Sequence, residues 1–222
     1  MSVYKYFTDE GHARAFLRHG EMLLRPLSHF RNLEADGVRG DGGDGVLTYA
    51  PAGGLQVTKS DGTEVVLADT AFVASARCGD IFVWCASDRL SEEIATGFRS
   101  PFCVEVLDPD VLVGRLRARA SPKSRLDYAG AIAQSVTYHP AERPPIVDWA
   151  LPDRVAFNKP TSFAWQNEFR IAVSRWGAFD VENVVCSLVE GNAAPDGRGD
   201  AGDDDFVIRV GGLGAMARLH TF

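Results

Sequence analysis

Apolar and polar positions along the chain alternate with two periods, and the changes of period mark out the elements. Val3 to Phe7 predicts a short strand. Ala13, Phe16 and Leu17 then recur at helical spacing, so a helix is expected roughly from Asp9 to His19, with Thr8 as its cap and Gly20 as its stop. "EMLLRPL" reads as a second strand. Residues 46–69 alternate around Gly and Asp-Gly turns, which suggests hairpins. "DIFVWCAS" is apolar without a break, as a central strand buried on both faces would be. "SEEIATGF" offers a Ser cap and a short helix, "PFCVEVLD" another strand, and "PDVLVGRLRARA" a helix opened by Pro109. "AQSVTYHP" and "FVIRV" are strand-like, while prolines interrupt the helix-compatible pieces of residues 141–162. Many short strands, few short helices, no repeat and no linker between two cores predict a single domain spanning 1–222. Its expected class is α+β with mostly antiparallel sheet.

Two stretches depart from this patterning. "SHFRNLEADGVRGDGGDG" is polar, Gly-rich and too long for a simple connection, so it reads as a functional or a mobile loop. Gly191 to Asp205 is rich in Gly and Asp and reads as a flexible loop.

Composition narrows the function classes. A 222-residue chain with 45% hydrophobic and 24% charged residues is ordinary for a globular domain, and its net charge of -7 argues against a general duplex-binding surface. One local basic run, Arg115, Arg117, Arg119, Lys123 and Arg125, is either a solvated helix end or an RNA patch. Cys78, Cys85, Cys103 and Cys186 form no C-x-x-C pair and have no His at ligand spacing, so no zinc site is expected. Their apolar settings suggest buried free thiols in a reducing compartment. With no apolar signal core and no run of about 18 apolar residues, a cytoplasmic location away from membranes is expected.

Several motifs are excluded. "GLGAMA" at Gly212 to Ala217 fits G-x-G-x-x-A, but too little chain follows for a dinucleotide-binding βαβ unit. "DGGDG" at Asp41 to Gly45 lacks the spacing of a calcium loop and reads as a turn. No metal site is expected.

The remaining candidate is "FAWQNEFRIAV", Phe163 to Val173. If the segment is a strand, Phe169, Ile171 and Val173 face the core while Gln166, Glu168 and Arg170 share the other face. Either that face is solvated, with a Glu168–Arg170 pair worth at most about 1 kcal/mol, or Glu168 is a working carboxylate with Gln166 as its helper.

"WQNEF" after a loop bearing Lys, Pro and Ser resembles the Q/E-x-E element of ADP-ribosyltransferases of the bacterial toxin class. "EMLLRPLSHFR" resembles the strand whose arginine contacts NAD in that superfamily, and "FVWCAS" its Ser-bearing strand, with Ser87 the hydroxyl retained. The chain is also similar to an uncharacterised bacterial and phage domain family, through Tyr4 to Asn32 and Lys159 to Arg170. The resemblance implies an ADP-ribosyltransferase-like fold that cleaves NAD, with Glu168 and Gln166 catalytic and Arg25 clamping the pyrophosphate. Ser87, Tyr4, His29, Phe30 and Phe163 would border the dinucleotide. The dense charged segment of Arg31, Glu34, Asp36, Arg39 and Asp41 reads by itself either as a loop that covers the ligand or as solvated surface. The resemblance further implies a macromolecular acceptor, protein or nucleic acid, and a toxin or phage-defence setting with an antitoxin or regulatory partner. Two alternatives stay open: a non-catalytic sensor or interaction protein of the same fold, and an RNA-directed defence protein using the 115–125 segment.

Overall fold

The computed structural model describes residues 1–32, 43–121, 123–140, 142–175, 177–191 and 205–222. Strand β1 (Val3–Phe7) leads into helix α1 (Glu10–His19). The cap is Asp9 rather than Thr8: the Asp9 carboxylate accepts from the His12 amide. Gly20 ends the helix in the left-handed region, and a Cβ there would lie 2.4 Å from the Gly211 carbonyl oxygen. Next come β2 (Glu21–Pro26), the short helix α2 (Leu27–Asn32), β3 (Val46–Tyr49), β4 (Leu55–Thr58), β5 (Glu64–Leu67) and β6 (Thr70–Ser75). Then follow β7 (Ile81–Ser87), α3 (Glu92–Gly97), β8 (Phe102–Val106) and α4 (Pro109–Arg117). The last third holds β9 (Asp127–Ser135), β10 (Thr137–His139), α5 (Pro152–Val155), β11 (Asn158–Pro160), β12 (Glu168–Ser174), β13 (Val185–Glu190), β14 (Phe206–Arg209) and β15 (Ala217–Thr221).

Eight strands form the main sheet, in the order β14-β2-β7-β1-β8-β15, with β12 on the other edge of β7 and β9 beyond it. Smaller groupings are β13-β6-β3, the β4–β5 hairpin and the parallel pair β10–β11. The architecture is therefore α+β with mostly antiparallel sheets and a few short helices. No helix among the described residues is long and apolar enough to cross a membrane.

Both faces of the central sheet are covered. On one face Trp84, Ile171 and Val173 pack against Phe16 of α1 and Leu112 and Leu116 of α4. On the other, Val83 and Ala172 pack beneath Leu27, Trp149, Val155 and Phe157. Phe16 and Trp84, with ring centroids 5.5 Å apart, join helix to sheet. The second layer is what alternation could not reveal, because it buries β12 along its whole length.

Several expectations are corrected by pairing. Of the hairpins foreseen in residues 46–69, β4–β5 forms, whereas β3 pairs with β6. The strand expected around "AQSVTYHP" is two strands, and β9 begins earlier, at Asp127. Cys78 and Cys103 are buried and Cys85 is half-buried, but Cys186 lies exposed on the edge strand β13. Two arginines of the basic run serve the fold: Arg115 donates to the Gly212 carbonyl at 2.8 Å and Arg117 to that of Ala131 at 2.6 Å. "GLGAMA" forms the turn into β15. The flexible-loop expectation for Gly191 to Asp205 falls largely on residues 192–204, outside those described, as do Glu34, Asp36, Arg39 and Asp41.

Candidate functional site

Strand β7 gives its whole length to β12 on one side, from Ile81↔Ser174 to Ser87↔Glu168. On its other side two strands share it: β2 at Phe82 and Val83, β1 at Ser87. Trp84, Cys85 and Ala86 lie between these two ladders, where β1 and β2 part. The Lys5 ammonium reaches into the parting, donating to the Cys85 carbonyl at 2.6 Å and lying 5.4 Å from the Trp84 ring. A cleft of about 360 Å³ opens here, within the usual range for small-molecule sites. Tyr6, Leu23, Arg25, Phe30 and Phe98 line it, together with Gln166 and Glu168.

Glu168 belongs to a buried charged cluster of four side chains drawn from three parts of the chain. Arg170 Nε donates to Glu168 Oε1 at 2.6 Å, and its two terminal nitrogens form a fork on Asp44, both at 2.8 Å. The remaining N–H groups reach the Ala156 carbonyl at 2.6 Å and Glu168 Oε2 at 3.4 Å, so all five donors of the guanidinium are used. Lys159 Nζ lies 2.8 Å from Glu168 Oε2, 3.2 Å from Gln166 Oε1 and 3.9 Å from Asp44 Oδ2. Asp44 and Arg170 are fully buried, and Glu168, which lines the cleft, retains 6% exposure. Among the described residues, two carboxylates and two cations balance one another in the cluster, which is how charges persist in such an interior.

This environment fixes protonation. Burial works against the charge on Glu168, but Arg170 and then Lys159 outweigh it and hold the carboxyl well below the usual carboxylate range. Burial likewise opposes the Arg170 charge, and Asp44 and Glu168 overcome it. The Cys85 thiol is pushed up to about 12, by burial first and then by Glu168. Glu168 is therefore a permanent anion near neutral pH. It can accept hydrogen bonds or stabilise positive charge, but it has no proton to donate.

The local chain explains the placement. Residues Thr161–Gln166 form a 3-10 turn, and Asn167 closes it in the left-handed region at φ 43, a conformation Asn tolerates better than most side chains. Gln166 thus precedes the strand, and the expected shared strand face of Gln166, Glu168 and Arg170 is corrected: Lys159 is what links Gln166 to Glu168. The expected solvated Glu168–Arg170 pair is corrected as well, since both side chains lie under the second layer.

Of the residues singled out in the sequence, Arg25, Phe30, Gln166 and Glu168 line one cleft. Ser87, Tyr4, His29 and Phe163 are not in its lining. The Ser87 hydroxyl, fully buried, donates to the Gln166 and Asn167 carbonyls at 2.9 and 3.1 Å, so it staples the turn before Glu168. Tyr4 stands opposite Ser87 in the ladder, and His29 packs edge-on against Phe30. Phe163 lies 5.1 Å from the Lys159 ammonium. Asp44, in the stretch read from sequence as a turn, is the functional residue that sequence reasoning misses, since nothing local marks it as the partner of Arg170. No group of His, Cys, Asp and Glu suited to a metal ion occurs among the described residues. Comparison with protein-family models, curated proteins and solved structures finds no match for this chain.

Proposed function

We propose that the protein binds NAD in this cleft and breaks its nicotinamide–ribose bond, passing ADP-ribose to a macromolecular acceptor or to water. What carries the reading is the meeting of Arg25 and a permanently ionised Glu168 in one cleft, although they come from opposite ends of the chain. Nicotinamide in NAD is a cationic substituent that leaves neutral with the bonding electron pair, so the leaving side requires no general acid. The charge that develops on the ribose calls for a fixed anion, as in glycoside cleavage, and Glu168 supplies one. Arg25, on the exposed face of β2, presents a planar fork suited to a pyrophosphate. Its present partner is Asp205 at 3.2 Å, a half-exposed pair that a phosphate can displace at little cost.

A second reading has its own support. Arg170 and Lys159 already neutralise Glu168, and the Ser87 hydroxyl is spent on main chain, which suits a module that holds a nucleotide without turning it over. Nicotinamide release separates the two. Turnover by the wild type that falls by about 100-fold or more in Glu168→Gln supports catalysis. NAD binding with no release supports the binding module, and neither binding nor release contradicts both.

A further inference from the structure

We propose that Lys159 is the positioning residue of this site, tying the Gln166 amide and the Glu168 carboxylate into one unit. The inference rests on the NAD-cleaving reading for its catalytic consequence, but its geometry stands independently of it. Gln166 and Glu168 lie on either side of a left-handed residue, so no regular element fixes their mutual placement. Lys159 does so from β11, at 3.2 Å from Gln166 Oε1 and 2.8 Å from Glu168 Oε2, with only 4% of its surface exposed. An ammonium has no acceptor atom, so the oxygen of the Gln166 amide must face it, and the amide orientation is thereby fixed. The neighbouring strand completes the brace. Tyr138 on β10 stands opposite Lys159, and its hydroxyl oxygen accepts from the Glu168 backbone N–H at 2.8 Å. The β10–β11 pair therefore holds Glu168 by both main chain and side chain.

Among the described residues, the charged and titratable groups facing Glu168 are Arg170 on its own strand, Lys159 on β11, Tyr138 on β10 and Cys85 on β7, with Asp44 acting through Arg170. Removing Lys159 takes away one of the two cations that keep Glu168 ionised, so the carboxyl should titrate at higher pH. An opposite charge at this range moves a carboxyl by roughly 1–3 pH units.

The test uses the full chain with isotope-labelled glutamate, and Glu168→Gln to assign the carboxyl signal. In the wild type Glu168 is expected to stay ionised down to the lowest pH at which the fold persists. In Lys159→Met its midpoint should rise by roughly 1–3 pH units, and Lys159→Arg should restore most of the wild-type behaviour. If the methionine chain does not fold, Lys159→Gln removes the same charge while keeping a polar side chain, and the same rise is expected. In nicotinamide release, Lys159→Met should lower kcat by about 100-fold with little change in KM, and the acid limb should move up with the carboxyl. An unmoved Glu168 titration in the charge-removing variants, or an unchanged kcat in an enzyme that does turn over, overturns the proposal. Absence of turnover in the wild type sinks the NAD-cleaving reading alone, since the carboxyl titration still decides the role of Lys159.

Discussion

Arg170 places all five of its N–H groups on oxygens of Asp44, Glu168 and Ala156, and its stability role follows from that count. A lysine at this position offers three donors from a single point and cannot reproduce the fork on Asp44. Arg170→Lys is expected to cost about 3 kcal/mol or more in urea unfolding, within the range for breaking a buried ion pair. Asp44→Asn should cost a similar amount, because the cluster would keep two cations against one anion. Pairing Asp44→Ala with Arg170→Met should cost less than the two single changes added together, and simple additivity would show that the two side chains do not act as one unit. The pH dependence has a definite sign. Glu168 is held below its ordinary range in the fold, whereas a glutamate in the unfolded chain titrates near about 4.3. The stability it contributes is fully present above about pH 5 and is lost as pH falls below that. Urea midpoints measured from neutral to acid pH should therefore drop less steeply for Glu168→Gln than for the wild type.

At the scale of elements, the turn into β12 sets the site. Asn167 holds φ 43, and the Asn167 carbonyl accepts from both the Asp88 amide and the Ser87 hydroxyl. Asn167→Gly should leave the fold nearly unchanged. Asn167→Ala should cost about 1 kcal/mol, because alanine keeps the Cβ but loses the side-chain amide that donates to the Trp165 carbonyl at 3.1 Å and eases this conformation for asparagine, and thermal unfolding of both variants checks this. The inner face of β12 was legible from alternation, since Phe169, Ile171 and Val173 face one layer as their spacing requires. Its other face was not. A polar residue on a strand looks alike in sequence whether water or a buried partner satisfies it, and the partner of Arg170 lies 126 residues away. The spacing of Gln166 and Glu168 misled for a related reason: a period of two presumes an unbroken strand, and a single left-handed residue breaks it. The helices α1 and α4 were readable because caps and apolar stripes are local signals; the first cap shifts by one residue, and α4 ends at Arg117, short of the expected Ala120.

Across the whole molecule, the thiols report burial that sequence setting alone did not distinguish. Cys78, Cys85 and Cys103 are pushed up to about 11, 12 and 12, each chiefly by burial, whereas Cys186 is exposed. A thiol reagent at neutral pH should therefore modify Cys186 first in the native protein, with the buried Cys78 and Cys103 reacting after unfolding. The cleft is also a property of the whole, because it exists only where β1 and β2 part from β7 and bring the N-terminal third against β12. No local pattern encodes that parting, although the residues on its two sides were each visible as strands. The central claim, that this cleft takes NAD through Arg25, is tested most directly by calorimetric titration of NAD into the wild type and Arg25→Ala. The account predicts saturable binding by the wild type and a loss of about 10- to 100-fold in Arg25→Ala, the scale of a lost charge-assisted hydrogen bond. No binding by the wild type, or equal affinity in the two proteins, would contradict it.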